Sequence, residues 1–378
     1  LRSPTGAHVS WWPQTWLINI TSHAPAVDGV RWPDAFASFV ASEIASQPVW
    51  DGVYFDNLWS EISWFTRDAI DLDGDGRVED PATRNQWWSD GVRAILTATR
   101  ARVRPGFLIT GNGSATYAPF TNGLLFEHFP TTSEGGWSAS MAAYASTLAY
   151  AAAPALAILN SNTGNTGTWN DWAHMRFGLT SALLGDGYSS FDFGDQDHAQ
   201  LWTYDEYDAA LGAPKGAPRI VNAAVGSQAN AAFPSGVYRR DFTNGLAVVN
   251  ATDRAQAVAL DGEYERMHGV QDPITNDGRI VTDIVLPAHD GLVLLRPIAD
   301  IVGAPFTNGA FARVFRSDGV VARTGFFAYD SGFRGGTTIE RVDVDGDGIL
   351  ETIIGDATMI RVRAGTTERL AFAPFGSS

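Results

Sequence analysis

The stretch Trp50-Asp51-Gly52-Val53-Tyr54-Phe55-Asp56-Asn57 constrains the fold more than any other part of the chain. Val53, Tyr54 and Phe55 are apolar and β-favouring, so they read as a short buried strand. Asp56 and Asn57 follow where such a strand ends. A carboxylate at the tip of a buried parallel strand is costly unless it is paired, hydrated or used. In a (β/α)8 barrel that tip is where reactive groups sit. The run Gly123-Leu124-Leu125-Phe126-Glu127-His128 repeats the pattern, an apolar stretch closing on an acid.

Around these two runs, strand-like and helix-like stretches alternate through residue 200. Strands are expected at 16–20, 50–56, 107–110, 124–126, 155–159 and 188–191. Helices are expected at 33–46, 85–102, 138–151 and 171–184, with Phe36, Phe39, Val40 and Ile44 marking one face of the first. Such alternation means a mainly parallel sheet with helices outside it. Residues 1–213 therefore read as a (β/α)8-type barrel. Six strands are visible where closure needs eight. The expectation is that residues 1–15, a preceding piece of the polypeptide or a neighbouring subunit supplies the rest.

Pro214, Gly216 and Pro218 mark a linker. From 219 to 298 short apolar runs alternate with turn signals, including Asn276-Asp277-Gly278, and read as a β-sandwich. Residues 304–378 form a third, β-rich unit.

The net charge of −16 argues against nucleic acid or an anionic membrane as partner. No stretch matches the ~18 apolar residues of a membrane span. Cysteine is absent, which excludes disulfides and thiolate metal sites and suits a secreted or cell-surface protein. Thirteen tryptophans favour carbohydrate contact, although most single tryptophans serve as core.

Two strand-end carboxylates are the minimum equipment for hydrolysing a sugar acetal. One protonates the leaving oxygen and the other stabilises or traps the oxocarbenium-like carbon. Asp56 is the candidate nucleophile and Glu127 the candidate acid/base, with Asp192 and Asp195 as rival acids. Asn19, Asn57, Asn112, Asn160 and Asp192, at inferred strand tips or beside one, would bind sugar hydroxyls. Trp59, Trp64, Trp137 and Trp172 would stack on sugar rings. His128 reads as a packed or capping histidine, because adjacent strand residues face opposite ways.

Asp71-Leu72-Asp73-Gly74-Asp75-Gly76-Arg77-Val78-Glu79 gathers hard oxygens in a calcium-loop pattern, with the Arg77 carbonyl at the seventh position. Ala82 at the twelfth rules out an EF-hand. The pattern recurs in Asp343, Asp345, Asp347, Ile349 (through its carbonyl) and Glu351. Two structural Ca²⁺ ions are expected. The glycosylation triplets beginning at Asn19, Asn112 and Asn250 read as chance, since two fall at inferred strand tips.

Residues 50–57 and 123–129 resemble TIM-barrel glycoside hydrolases related to the endo-α-1,4-polygalactosaminidase group. There a strand ending in a similar Asp is followed two strands later by one ending in Glu. The resemblance implies a retaining mechanism with Asp56 as nucleophile and Glu127 as acid/base, and a polysaccharide substrate. Residues 237–295 look like the small β-sandwich appended to such barrels. Residues 306–356, with Phe326 to Asp330, Phe333 to Gly336 and Asp343 to Glu351, resemble FG-GAP/VCBS-type calcium-binding repeats. The competing reading is a non-catalytic surface, filament or carbohydrate-binding protein that uses the barrel as a scaffold, with a lyase as a weaker third.

Overall fold

The computed structural model describes residues 1–66, 70–131, 135–223, 232–296, 311–315, 321–327, 338–347, 350–355, 358–364 and 367–374. They form two compact units. One comprises the described residues within 1–171, 181–200 and 228–235, the other those within 172–180, 201–227 and 236–378. Residues 201–213, expected with the first domain, thus group with the second unit.

The first unit is built on a parallel sheet of five strands in sequential order: β1 (Gly52–Leu58), β2 (Leu108–Gly113), β3 (Gly123–Phe126), β4 (Ile158–Asn162) and β5 (Tyr188–Asp192). The helices in chain order are α1 (Trp32–Phe39), α2 (Ser63–Thr66), α3 (Pro81–Arg102), α4 (Gly136–Tyr150) and α5 (Trp172–Leu183). α3, α4 and α5 are the crossovers that let consecutive strands run parallel. Between β2 and β3 a 3₁₀ helix, Ala115–Phe120, makes the crossing.

α3 starts four residues before the expected point because Asp80 caps it. The Asp80 carboxylate accepts from Ala82 N at 3.0 Å and Thr83 N at 3.1 Å, and Pro81 takes the first turn. The buried face of α3, with Trp88, Val92, Ile95 and Leu96, meets Phe55, Ile109 and Leu124 in the core beneath the sheet. The 33–46 helix divides into α1 and a π-helical turn, Val40–Ile44.

One expectation is corrected. Among the described residues the parallel sheet has five strands and ends at β1 and β5, one strand fewer than read from the sequence and three short of barrel closure. Residues 16–20 are not a strand. Trp16 and Ile18 stay exposed while Ile20 is buried, and the Ile20 carbonyl lies so close to α3 that a Cβ on Gly91 would sit 2.5 Å from it. Packing on a helix, not pairing with β1, satisfies this segment.

In the second unit, β6 (Arg219–Ala223), β7 (Gly236–Phe242), β8 (Gly245–Asn250), β9 (Gln256–Arg266), β10 (Ile280–Leu286) and β11 (Asp290–Leu295) form one antiparallel sheet, ordered β10-β9-β11-β8-β7-β6. The expected sandwich is one curled sheet. Its edge strand β6 comes back to β9, where Asn222 Nδ2 donates to Gln256 Oε1 at 2.7 Å. Val237, Leu246, Val248, Leu286 and Leu294 fill the inside of the curl. Arg176, at 4% side-chain exposure, anchors three acids here: Asp290 (2.9 Å), Asp272 (2.6 Å) and Glu206 (3.8 Å).

Farther along, β12 (Phe311–Phe315) and β13 (Val321–Phe327) pair with each other. β14 (Thr338–Val342), β15 (Glu351–Gly355), β16 (Ile360–Ala364) and β17 (Thr367–Phe372) form a four-stranded antiparallel meander. Of the residues behind the repeat resemblance, Ala328 to Asp330 and Phe333 to Gly336 lie outside the described residues, as does Ile349.

Candidate active site

The C-terminal ends of β1 to β5 place the candidate residues. β1 pairs Phe55 with Gly111 and then Leu58 with Gly113, so Asp56 and Asn57 form a bulge. A bulge re-aims the side chains it carries. Asn57 adopts the left-handed region at φ 60°. Its backbone N–H donates to Asn112 Oδ1 at 2.6 Å, and its side-chain amide donates to Asp56 Oδ2, also at 2.6 Å. Asn57 and Asn112 therefore hold the exposed Asp56 carboxylate in place from the tips of neighbouring strands.

Glu127 is the first residue beyond β3 and is half-buried. Its backbone carbonyl accepts from Thr131 Oγ1 at 3.1 Å, while among the described residues its carboxylate accepts no hydrogen bond. β2 lies between β1 and β3, so the two backbones stand roughly 10 Å apart by ordinary strand spacing. Tyr54 lies two residues before Asp56, on the same strand face. Partial burial first, then Glu127 and then Asp56 push its phenol well above the usual tyrosine range. Both carboxylates thus lie within electrostatic reach of one hydroxyl.

β4 and β5 add a hydrogen-bonded group that runs from mid-strand, at Asn160, to the end of β5 at Asp192. The Asn160 amide donates to Ser190 Oγ and Asp192 Oδ2, each at 2.9 Å, and His198 Nδ1 meets the same Asp192 oxygen at 2.8 Å. The hydrogen bond to Asp192 is the main force raising the His198 pKa. Burial opposes it, and Asp192, Glu127 and Asp195 add to the rise. Asn165 Nδ2, at 2.5 Å, holds the Asp195 carboxyl below the usual carboxylate range. His128 is exposed at φ 54° and pairs through Nδ1 with Asn162 at 2.9 Å.

Other expected sugar contacts fall elsewhere. Asn19 sits in irregular backbone, where its side chain donates to the Leu72 carbonyl at 2.8 Å and accepts from Thr21. It ties down the Asp-rich loop. Trp137 is only 7% exposed, with its indole N–H on Ser181 Oγ at 2.8 Å, so it is core and presents no free face. Trp172 opens α5 and belongs to the second unit, where its ring meets Tyr204 edge-on at 5.8 Å. Trp59 remains beside the β1 tip, in a cluster with Trp64.

Sequence reading missed Tyr54, Asn162 and His198. The signal for Tyr54 was its two-residue spacing from Asp56. His198 lies six residues past Asp192, in a loop that carries no periodicity.

The two Asp-rich loops adopt one geometry twice. The ninth-position Glu accepts from the second-position amide, Glu79 from Leu72 at 2.8 Å and Glu351 from Val344 at 3.0 Å. The first Asp accepts from the fourth-position glycine, Asp71 from Gly74 at 2.6 Å and Asp343 from Gly346 at 2.7 Å. Ligand oxygens of Asp71, Asp73 and Glu79 lie within 4.8 Å of one another, as do those of Asp343, Asp345 and Asp347. Asp75 instead accepts from Arg77 N at 2.8 Å.

Among the described residues no helix is long and apolar enough to cross a membrane. No curated protein matches the chain. A solved structure described as "Glycoside hydrolase" is similar at 11% identity and a TM-score of 0.29, over 57% of this chain and 63% of that one. The match spans less than two thirds of that protein. A family model described as "Hypothetical glycosyl hydrolase family 15" matches residues 1–246, well over half the chain. The chain therefore belongs to that glycosyl hydrolase family.

Proposed function

We propose that the protein is a secreted glycoside hydrolase that cleaves a polysaccharide, with Asp56 as nucleophile and Glu127 as acid/base. The observation that carries this reading is the placement of Asp56, on β1, and Glu127, directly after β3, at the same end of one parallel sheet with only β2 between them. In the first step Glu127 gives its proton to the leaving oxygen while Asp56 bonds to the anomeric carbon. In the second, Glu127 takes a proton from water, and the water oxygen displaces Asp56. Two inversions leave the configuration unchanged. Tyr54, kept protonated, is a hydrogen-bond donor available to the nucleophile or a sugar oxygen. The specific kinship proposed is with the polygalactosaminidase group.

Reducing-end release from a polysaccharide panel tests the reading, with proton NMR of the first product to read its anomer. Loss of release in Asp56→Asn, with retained α or β configuration in the wild type, is the expected result. Undiminished cleavage by Asp56→Asn would reject the assignment.

We also propose that both Asp-rich loops hold Ca²⁺. All the donors are oxygens, which suits a hard cation. Glu79 Oε2 is buried and lacks a hydrogen-bond partner among the described residues, as expected of an atom reserved for an ion. Asp71, Asp73 and Glu79 would hold one ion, and Asp343, Asp345 and Asp347 the other. Their role is structural, because the first loop leads directly into the Asp80 cap of α3.

A further inference from the structure

Five aromatic rings meet beside the β1 tip. Trp11 lies 4.5 Å from Trp64, 5.5 Å from Phe65 and 6.4 Å from Trp59, between ring centroids. Trp12 stacks on Trp59 at 6.1 Å with 19° between the planes, and Trp59 meets Trp64 at 5.5 Å and Phe65 at 5.4 Å. Despite this mutual contact, Trp11 is 44% exposed, Trp12 45% and Trp64 52%. Together they leave on the order of 300 Å² of aromatic surface in water, the size of a functional patch on a typical monomer.

The segment that carries Trp59 and Trp64 is held by hydrogen bonds. Trp64 donates its indole N–H to the Glu61 carbonyl at 3.1 Å. Asn85 Oδ1, on α3, accepts from Ile62 N and Ser63 N, both at 3.0 Å. The buried Tyr117 hydroxyl donates to the Trp59 carbonyl at 3.2 Å. Fixed indole faces lose little entropy when a flat ligand lies on them.

Trp59 is three residues from Asp56, no more than ~11 Å along the chain. Trp59 therefore brings the cluster close to the candidate active site, on the segment that directly follows β1. A sugar ring has an apolar C–H face that suits an indole, and the exposed parts of Trp11, Trp12 and Trp64 offer such surface above the more buried Trp59 and Phe65. The strand ends carry Asp56, Glu127 and Asp192, the loop after β5 carries Asp195, and the whole chain carries a net charge of −16. Polyanionic chains would be repelled.

We propose that Trp11, Trp12, Trp59, Trp64 and Phe65 form a platform for a glycan chain that lacks carboxylate and sulfate groups, gripping several consecutive sugars beside the strand-tip carboxylates. The proposal rests on the glycan reading above and adds to it polymer binding across several rings and a charge class for the substrate.

Affinity electrophoresis of the full chain carrying Asp56→Asn tests it, in gels containing soluble starch, galactan, mannan, xylan or mixed-linkage glucan. Polygalacturonate and chondroitin sulfate serve as acidic comparators. Retardation by at least one uncharged polymer, weakened about tenfold by Trp11→Ala and by Trp64→Ala, is expected. Trp16→Ala, which alters an exposed tryptophan outside the cluster, should leave it unchanged. Far-ultraviolet circular dichroism checks that each variant folds, with Trp12→Ala as the substitute for one that does not. The proposal is overturned by retardation only in acidic polymers, by none in any gel, by retardation indifferent to the tryptophans, or by a dimer that the tryptophan substitutions dissolve. Binding without hydrolysis by the wild type would reject the hydrolase reading and leave the platform standing.

Discussion

His198 Nδ1 sits 2.8 Å from Asp192 Oδ2, the same carboxylate oxygen that accepts the Asn160 amide. Because the hydrogen bond favours the imidazolium, the His198 pKa is raised in the folded protein. The stability this pair contributes is complete below the ordinary histidine pKa of ~6.5 and is lost as pH rises through the higher folded value. In an NMR titration the His198 ring protons should show a midpoint above the ordinary value of ~6.5. Asp192→Asn should move that midpoint down. A midpoint that does not respond to Asp192→Asn would contradict the pairing.

Glu127→Gln keeps the shape of the acid/base candidate but removes its proton. Turnover of an unactivated glycan should fall by about 10²- to 10⁴-fold. A substrate with a good leaving group needs no protonation, so its first step should be much less affected. Equal losses on both substrates would argue that Glu127 acts on the fold rather than on the leaving oxygen.

Chelation should lower the melting temperature. If free Ca²⁺ stands at about a hundred times its dissociation constant, each site contributes about 2.7 kcal/mol. Asp73→Asn and Asp345→Asn should each remove part of the calcium-dependent shift, and the double variant nearly all of it. A melting curve identical in calcium and chelator would eliminate the structural-ion role.

Gly91→Ala should destabilise the first unit. The added Cβ would lie 2.5 Å from the Ile20 carbonyl oxygen and 2.9 Å from its carbon, both backbone atoms that cannot rotate away. Overpacking of this kind costs about 1–3 kcal/mol. Urea denaturation should show a lower midpoint with an unchanged slope.

Arg176→Met would leave Asp290, only 5% exposed in its side chain, without its guanidinium. Breaking one side of a buried ion pair costs about 3–5 kcal/mol. The loss should shrink when Asp290→Asn is combined with it, since one fewer bare charge is then buried beside Glu206 and Asp272. Additive losses in a double-mutant cycle would show that the two residues do not depend on each other.

What could be read in the amino-acid order was local. Val53 to Phe55 and Leu124 to Phe126 announced strands through apolar, β-favouring side chains, and Glu127 announced the end of the second, whereas the first runs on past Asp56 through a bulge to Leu58. Asp80-Pro81 carried a helix start in its capping chemistry, though the periodic residues alone placed that start too late. Both nine-residue Asp loops showed their turns in the sequence, because the carboxylates and glycines that shape them lie in one short segment.

Tertiary structure decided what depends on distant partners. The bulge at Asp56 and Asn57 exists because Asn112, on another strand, accepts the Asn57 amide. Residues 16–20 had a strand's composition but found their burial against α3 at Gly91. Trp137 and Trp59 were equivalent as letters. One is closed off by Ser181 and the helix around it, while the other joins two residues from positions 11 and 12 that no spacing connects to it. Burial and long-range hydrogen bonding set these outcomes, and neither is a property of a short stretch of chain.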